Sequence, residues 1–342
     1  MRVGKSRVAN LLLLLGSLIV GFAALEGAAQ VYTAQIARMG KLFTPHVELG
    51  WVPLPNLDLE RRNANGATWH VVTDQDGLRG PAQWQPERAV RMLVLGDSFA
   101  FGEGVDLEDR FDMLLQRRFA GLSAVNLGVM GYGPDQQLAR ARGWLASLRA
   151  GDILLMLTYS NDFLDLASTT HSGRSKRWLE RQGGALIEHR PEIGLIERLR
   201  DRSYIFSVVA RRLNVDLSGA FAARLADSGE LYRDWVLQET RPLLERGVHV
   251  VLVHHGDEVF DLPFDVAEVF AQVCPALTGC LDLDPATAAR PRQEIFLNDG
   301  HWAAGGHRLA AERIGDYLLS LDAIGPRLEQ RDPAPGIARR AP

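Results

Sequence analysis

Apolar and polar positions fall into distinct blocks along this chain. The first is an apolar run from Val8 to Leu25, broken only by Asn10 and preceded by Arg2, Lys5 and Arg7. A basic flank followed by an apolar run is the pattern of an export segment. At 18 residues the run reaches the lower edge of what spans a bilayer. Two fates are open to it. It stays as an anchor with its basic end in the cytoplasm, or it is cut as a signal peptide near the small residues Gly27-Ala28-Ala29. Either fate puts the remainder in the periplasm or outside the cell. The first unit is therefore 1–30.

Residues 31–88 read as a linker, helical over 30–45, followed by a β-rich extension. Pro, Asn and Gly clusters there separate short runs such as Trp69-His70-Val71-Val72-Thr73, which predict one or two hairpins. A different rhythm then begins. Arg91–Leu95, Ala124–Leu127, Ile153–Leu157 and Val248–Val253 are short apolar runs, as expected of strands covered on both faces. Residues 107–119, 135–148 and 304–320 carry helical spacing between and after them, for example Phe111, Leu114, Leu115 and Phe119 on one face. Strands alternating with helices predict an α/β class fold: a three-layer α/β/α sandwich around a parallel, flavodoxin-like sheet, over 89–322. Residues 163–245 form a long insertion, read as helices capping one side of the domain. From Arg174 to Arg212 it holds ten Lys/Arg against five Asp/Glu. That is a solvated helical face or a surface for anionic polymers or lipid headgroups. The Pro- and Arg-rich tail, 323–342, is expected to be disordered.

Composition changes this picture little. Apolar residues are 46% and charged residues 23%, so a normal core is available. The net charge of -4 gives no basic field for nucleic acid, and no nucleic-acid signature is present. The two cysteines, Cys274 and Cys280, bracket a turn-rich segment. Outside the cytoplasm they are expected to form a disulfide, the alternative being two thiols.

In parallel sheets, functional residues gather beyond the carboxyl ends of the strands. Here those ends read Gly96-Asp97-Ser98, then Asn126 through Gly131, then Tyr159-Ser160-Asn161-Asp162, then His254-His255-Gly256-Asp257; Asn298-Asp299-Gly300-His301-Trp302 precedes the last helix. Together they supply what acyl transfer needs. Ser98, on a strand-to-helix turn, is the candidate nucleophile. His301 is the general base and Asp299 the acid that orients it, with Asp282 or Asp284 as alternatives. The backbone N–H groups of Ser98 and Gly131 and the side chain of Asn161 are candidate oxyanion donors; Gly128 is the alternative to Gly131. His254, His255, Asp257 and Glu258 raise the question of a metal, a groove wall or an ordinary loop, and no metal or cofactor is called for. The segment Thr73–Gly80 reads as turns around an exposed Arg79, either a substrate contact or a salt-bridge partner.

These blocks resemble the SGNH hydrolase superfamily, the GDSL esterases and lipases, over residues 88–320. Gly96-Asp97-Ser98-Phe99 is similar to its nucleophile block, Asn126–Gly131 to its glycine block and Asn161-Asp162 to its third block. The resemblance implies a three-layer fold and ester hydrolysis or acyl transfer. Two positions depart from it. Tyr159 stands where the family has Gly, making it and Trp302 candidate substrate contacts. Asp299-Gly300-His301-Trp302 is one residue shorter than D-x-x-H, a form similar to the SGNH-like acetyltransferases of bacterial exopolysaccharides. The expected activity is thus a serine esterase acting through an acyl-serine on an acylated polysaccharide or lipid. The rivals are O-acetyl transfer to an extracellular polysaccharide and a non-catalytic carbohydrate-binding or assembly protein. Oligomeric state is left open.

Overall fold

The computed structural model describes residues 2–32, 41–81, 83–85, 87–213, 219–256 and 259–328. Helix α1 (Arg2–Val31) contains the apolar span, Ala9–Val31, with mean hydropathy 2.1 and none of its most apolar window buried. Those 23 residues reach about 35 Å, enough to cross a hydrocarbon core. The linker expected as a helix over 30–45 differs: α1 ends at Val31, and Phe43–His46 is a strand; residues 33–40 lie outside the described residues. Phe43–His46 pairs with Gly50–Pro53, and Asp58–Arg62 with Thr68–Val72, giving two antiparallel hairpins.

Five parallel strands form the central sheet: β1 (Val90–Leu95), β2 (Leu122–Asn126), β3 (Ile153–Tyr159), β4 (His249–His255) and β5 (Gly279–Asp282). Their order is 2-1-3-4-5, the doubly wound arrangement. Alternation along each strand divides the core. Leu93, Leu95, Leu154, Met156, Val250 and Leu252 face a layer containing Leu138, Tyr232, Trp235 and Phe270. Met92, Val94, Leu155 and Val251 face Phe111, Leu115, Ile314 and Leu318. Helices α4 (Pro134–Ser147), α8 (Gly219–Glu245) and α9 (Val266–Val273) therefore cover one side, and α3 (Phe111–Arg118) with α12 (Ala304–Ser320) the other. This is the α/β/α sandwich expected from the alternating blocks.

Three regions differ from expectation. The fifth strand, β5, is too short and too polar to read as apolar; Cys280 sits on it and is disulfide-bonded to Cys274. The insertion is not all helical. It opens with hairpins Thr170–His171/Arg174–Ser175 and Trp178–Gln182/Ala185–His189. In the second, Gly183 and Gly184 both take positive φ, the requirement of a two-residue hairpin turn that reverses the chain. The tail is ordered as far as Leu328, because Ile324 and Leu328 are buried in the sheet's second core layer; the rest of 323–342 lies outside the described residues.

A buried ion pair ties the insertion to α4. Lys176 and Asp135 are both fully buried, with Nζ to Oδ2 at 2.6 Å, and Nζ also donates to the Asp165 carbonyl at 2.9 Å. Removing one partner of such a pair strands a buried charge. Lys176→Met is expected to lower stability by about 3–5 kcal/mol. The double variant Lys176→Met/Asp135→Leu should lose clearly less, measured by urea unfolding.

Candidate active site

The nucleophile turn follows from glycine and aspartate chemistry. Gly96 takes φ +157, and a Cβ there would lie 2.7 Å from the Ala100 Cβ and 3.0 Å from the Leu157 carbonyl, so the turn closes only without a side chain. Asp97 then caps helix α2 (Ser98–Phe101), accepting from the Phe99 N–H at 2.9 Å. The helix is a single turn. The field it offers at Ser98 is that of its few free amides and not of a long dipole.

Across the site, His301 Nε2 lies 2.9 Å from Ser98 Oγ, although 203 positions separate them. The imidazole is held by its surroundings. Phe99 packs against His301 at 5.4 Å, against Tyr159 and His255 at 4.5 Å each, and edge-on to Trp302 at 5.1 Å. His255 is stacked on Trp302 at 4.6 Å. These rings form an aromatic floor. Burial, with His254 adding to it, pushes His255 down to about 3, so it stays neutral there.

Asp299 Oδ1 is 3.2 Å from His301 Nδ1. It also accepts from the His301 backbone N–H at 3.2 Å, and the ring nitrogen has no linear hydrogen bond to it. With a single residue between them, the carboxylate folds back on its own turn instead of pointing along the ring N–H. The carboxylate thus lies close to the ring without a hydrogen bond to it, and 41% of the Asp299 side chain is exposed. The alternatives are engaged elsewhere: Asp284 accepts from the Gly256 N–H and Asp282 from the Asp284 N–H.

Asn161 begins helix α5 (Asn161–Ala167), and its Nδ2 donates to Asp97 Oδ2 and to Asp165 Oδ2, both at 3.2 Å. The amide hydrogens are therefore held by carboxylates beside Ser98. Among the two glycines, the Gly128 N–H is engaged by Asn126 Oδ1 at 2.8 Å, whereas the Gly131 N–H makes no hydrogen bond among the described residues. Gly131 has φ +73, and a Cβ there would meet His171 Nε2 at 2.5 Å.

Ser98, Tyr159, Asn161, Asp299 and His301 all line one cavity of about 1090 Å³, together with His255, Phe260 and Arg292. Gly131 is not on its wall. Two expected substrate contacts are corrected. Trp302 is 1% exposed, buried beneath the floor, because its ring fills the space between Phe99 and the last helix. Arg79 is 3% exposed. Its guanidinium donates to the carbonyls of Phe101, Gly102, Val105 and His70 at 2.6–2.9 Å, so it clamps the loop after the nucleophile to the N-terminal hairpins. Among the described residues no group of three or more His, Cys, Asp or Glu could hold a metal ion, and Asp257 and Glu258 lie outside them.

Three further residues went unnoticed in the sequence. Asp97 contacts Ser98 Oγ at 3.4 Å, and burial pushes its carboxyl up. Glu103 donates its N–H to the Ser98 carbonyl and sits within the field of His301. His171, from the insertion, bonds Asp165 at 2.8 Å through Nδ1; burial alone would lower it, but the hydrogen bond and charge of Asp165 raise it. No sequence signal marks His171, since it arrives on a two-residue strand.

No family model and no curated protein matches this chain. Solved structures do. A lipolytic protein of the G-D-S-L family from Veillonella parvula is 14% identical, with 68% of this chain and 100% of that one covered and a TM-score of 0.43. TesA is 18% identical, over 70% and 99%, with a TM-score of 0.37. An extracellular lipase from Streptomyces rimosus is 12% identical, over 66% and 100%, with a TM-score of 0.34.

Two outcomes are expected from this geometry. Without a linear bond to the ring, Asp299→Asn should slow turnover of a chromogenic acetyl ester by about 10²-fold or less, well short of the ~10⁴ lost with a buried orienting acid. A loss of ~10⁴ would show that the carboxylate bonds the ring squarely during turnover. The second outcome concerns pH. The folded pKa of His255 lies below the ordinary 6.5 of the unfolded chain. The unfolded state therefore binds the extra proton between these values, and stability present above pH 6.5 is lost as pH falls toward 3. At pH 5 the loss is about 2 kcal/mol relative to pH 7. Urea unfolding of the wild type and His255→Gln at both pH values should show a correspondingly shallower dependence in the variant.

Proposed function

We propose that this chain is a serine ester hydrolase of the SGNH kind, working outside the cytoplasm and tethered to the membrane by α1. The observation that carries this reading is the 2.9 Å contact between Ser98 Oγ and His301 Nε2 at the mouth of a cavity beyond the sheet's carboxyl edge. In this reading His301 removes the Ser98 proton as the oxygen attacks the ester carbonyl. The tetrahedral oxyanion is met by the backbone N–H of Ser98, and by Asn161 once its amide turns from Asp97. Collapse expels the alcohol, which takes its proton from His301. Water then attacks the acyl-serine by the same route, with His301 again as base.

Tyr159 and Phe260 give the cavity apolar walls for an acyl chain or a sugar face, while Arg292 and Asp284 bring charge to its rim. The cavity of about 1090 Å³ has room for a water beside an acyl-serine, as hydrolysis requires. Acetyl transfer to a polysaccharide is the second reading, supported by the short Asp299-Gly300-His301-Trp302 block.

The test is turnover of p-nitrophenyl acetate by the full chain in detergent, with and without a soluble oligosaccharide acceptor. Ser98→Ala should lower kcat by about 10⁴-fold or more with an unchanged unfolding midpoint. Retained turnover in that variant would exclude Ser98 as nucleophile. Acetyl appearing on the acceptor faster than free acetate would favour transfer.

A further inference from the structure

Helix α1 ends in contact with the insertion. Helices α6 (Leu195–Arg202) and α7 (Tyr204–Leu213) follow its hairpins, and the start of α7 is capped by a residue of α1. Glu26 accepts from the Tyr204 N–H, from the Ile205 N–H at 3.1 Å and from Ser203 Oγ at 2.8 Å. Ser203 Oγ in turn accepts from the Phe206 N–H at 3.0 Å. Free amides at a helix start and a carboxylate at the end of an apolar span each need a partner. Here each satisfies the other, and this fixes the first turn of α7 at the level where α1 leaves its apolar stretch.

The exposed faces match that level. Among the described residues outside Leu11–Tyr32, eight large apolar residues are exposed, and four of them are Leu195, Leu199, Tyr204 and Val209. Leu195 is 71% and Val209 48% exposed. Tyr32, at the end of α1, is exposed too; tyrosines favour the boundary between headgroups and acyl chains. Among and just after these apolar positions the sequence places Arg198, Arg200, Arg202, Arg211 and Arg212 against Glu197 and Asp201. Asp201 is already paired with Lys41 at 2.7 Å. Exposed apolar side chains beside the exposed Arg198 and Arg202, next to the end of a membrane span, have the chemistry of interfacial helices on anionic lipid.

We propose that α6 and α7 lie on the surface of the anionic bilayer that α1 spans, with Leu195, Leu199, Tyr204 and Val209 entering the headgroup–acyl boundary and Arg198 and Arg202 meeting lipid phosphates. This rests on the reading of α1 as a retained anchor. The body would then be held against the membrane at two places, which limits how far the Ser98 cavity can turn away from the bilayer.

The test uses the full chain in vesicles of phosphatidylcholine and phosphatidylglycerol. Its only cysteines are joined in a disulfide, so one introduced thiol is labelled selectively. A nitrobenzoxadiazole label is placed at Leu14→Cys, Val209→Cys or Glu312→Cys, and brominated lipids serve as quencher. Labels at 14 and 209 should each lose about half or more of their emission, as expected for a probe held at or below the headgroups, while the label at 312 keeps its own. Quenching at 209 should weaken when phosphatidylglycerol is left out. Quenching at 14 with full emission at 209 would overturn the inference and leave the anchor standing. A blue-shifted but unquenched label at 209 would show that protein covers the face, and would overturn it as well. If neither 14 nor 209 is quenched, the anchor reading fails and the inference with it.

Discussion

The bond between Ser98 Oγ and His301 Nε2 is the contact on which the site depends, and nothing local creates it. The serine leaves the end of β1, and the histidine precedes the last helix, 203 positions later. Parallel pairing places β1 in the sheet between β2 and β3, so its turn opens onto the ends of β3 and β4. The loop carrying His301 is then pinned from both sides. The His301 carbonyl accepts from the Leu297 N–H at 2.7 Å, and the Ala303 N–H donates to the Ile295 carbonyl at 2.8 Å. Trp302, buried under the loop, and Phe99, beside the ring, leave the imidazole little room to turn. A polar contact of 2.9 Å is thus set by apolar packing on three elements.

Around that contact lies an unusual amount of buried negative charge. Asp97, Asp135, Asp162 and Asp165 are all buried near the strand ends, and burial pushes the first three upward. Each is tied down by a donor. Asp162 accepts from Gln137 and from the Tyr159 N–H, Asp135 holds Lys176, and Asp97 and Asp165 share the Asn161 amide. Such a network fixes the turns that carry Ser98 and Asn161. It also explains why Asn161 is not free: its amide links the acids on either side of it. The insertion belongs to this network through Lys176 and His171 and is more than a cover over the sheet.

Much of this was legible in the sequence, and the gaps have physical causes. The apolar runs gave β1, β3 and β4 nearly to the residue, because strands covered on both faces cannot hide polar positions. Residues at successive strand ends could be read together for the same reason, which brought out Ser98, Asn161 and His301. The edge strand β5 escaped because an edge needs less apolar sequence. The hairpins of the insertion escaped because the high charge of Arg174–Arg212 reads as a solvated helical face, while the Gly183-Gly184 turn that reverses the chain is short. Arg79 was read as exposed because charge normally faces water. Its burial is possible only because four carbonyls converge on it, and such convergence is a property of the folded loop. Trp302, expected as a substrate contact, directly follows His301, and adjacent residues in extended chain point to opposite sides, so that one of the pair is buried.

The central claim is that Ser98 is made nucleophilic by His301. Reaction of the full chain with a fluorophosphonate, followed by intact-mass measurement and peptide mapping, tests it without knowledge of the natural ester. The account requires one phosphonyl adduct per chain, located on Ser98, forming much more slowly in His301→Ala. An unmodified Ser98 in folded protein, or an adduct formed equally fast without His301, would contradict it.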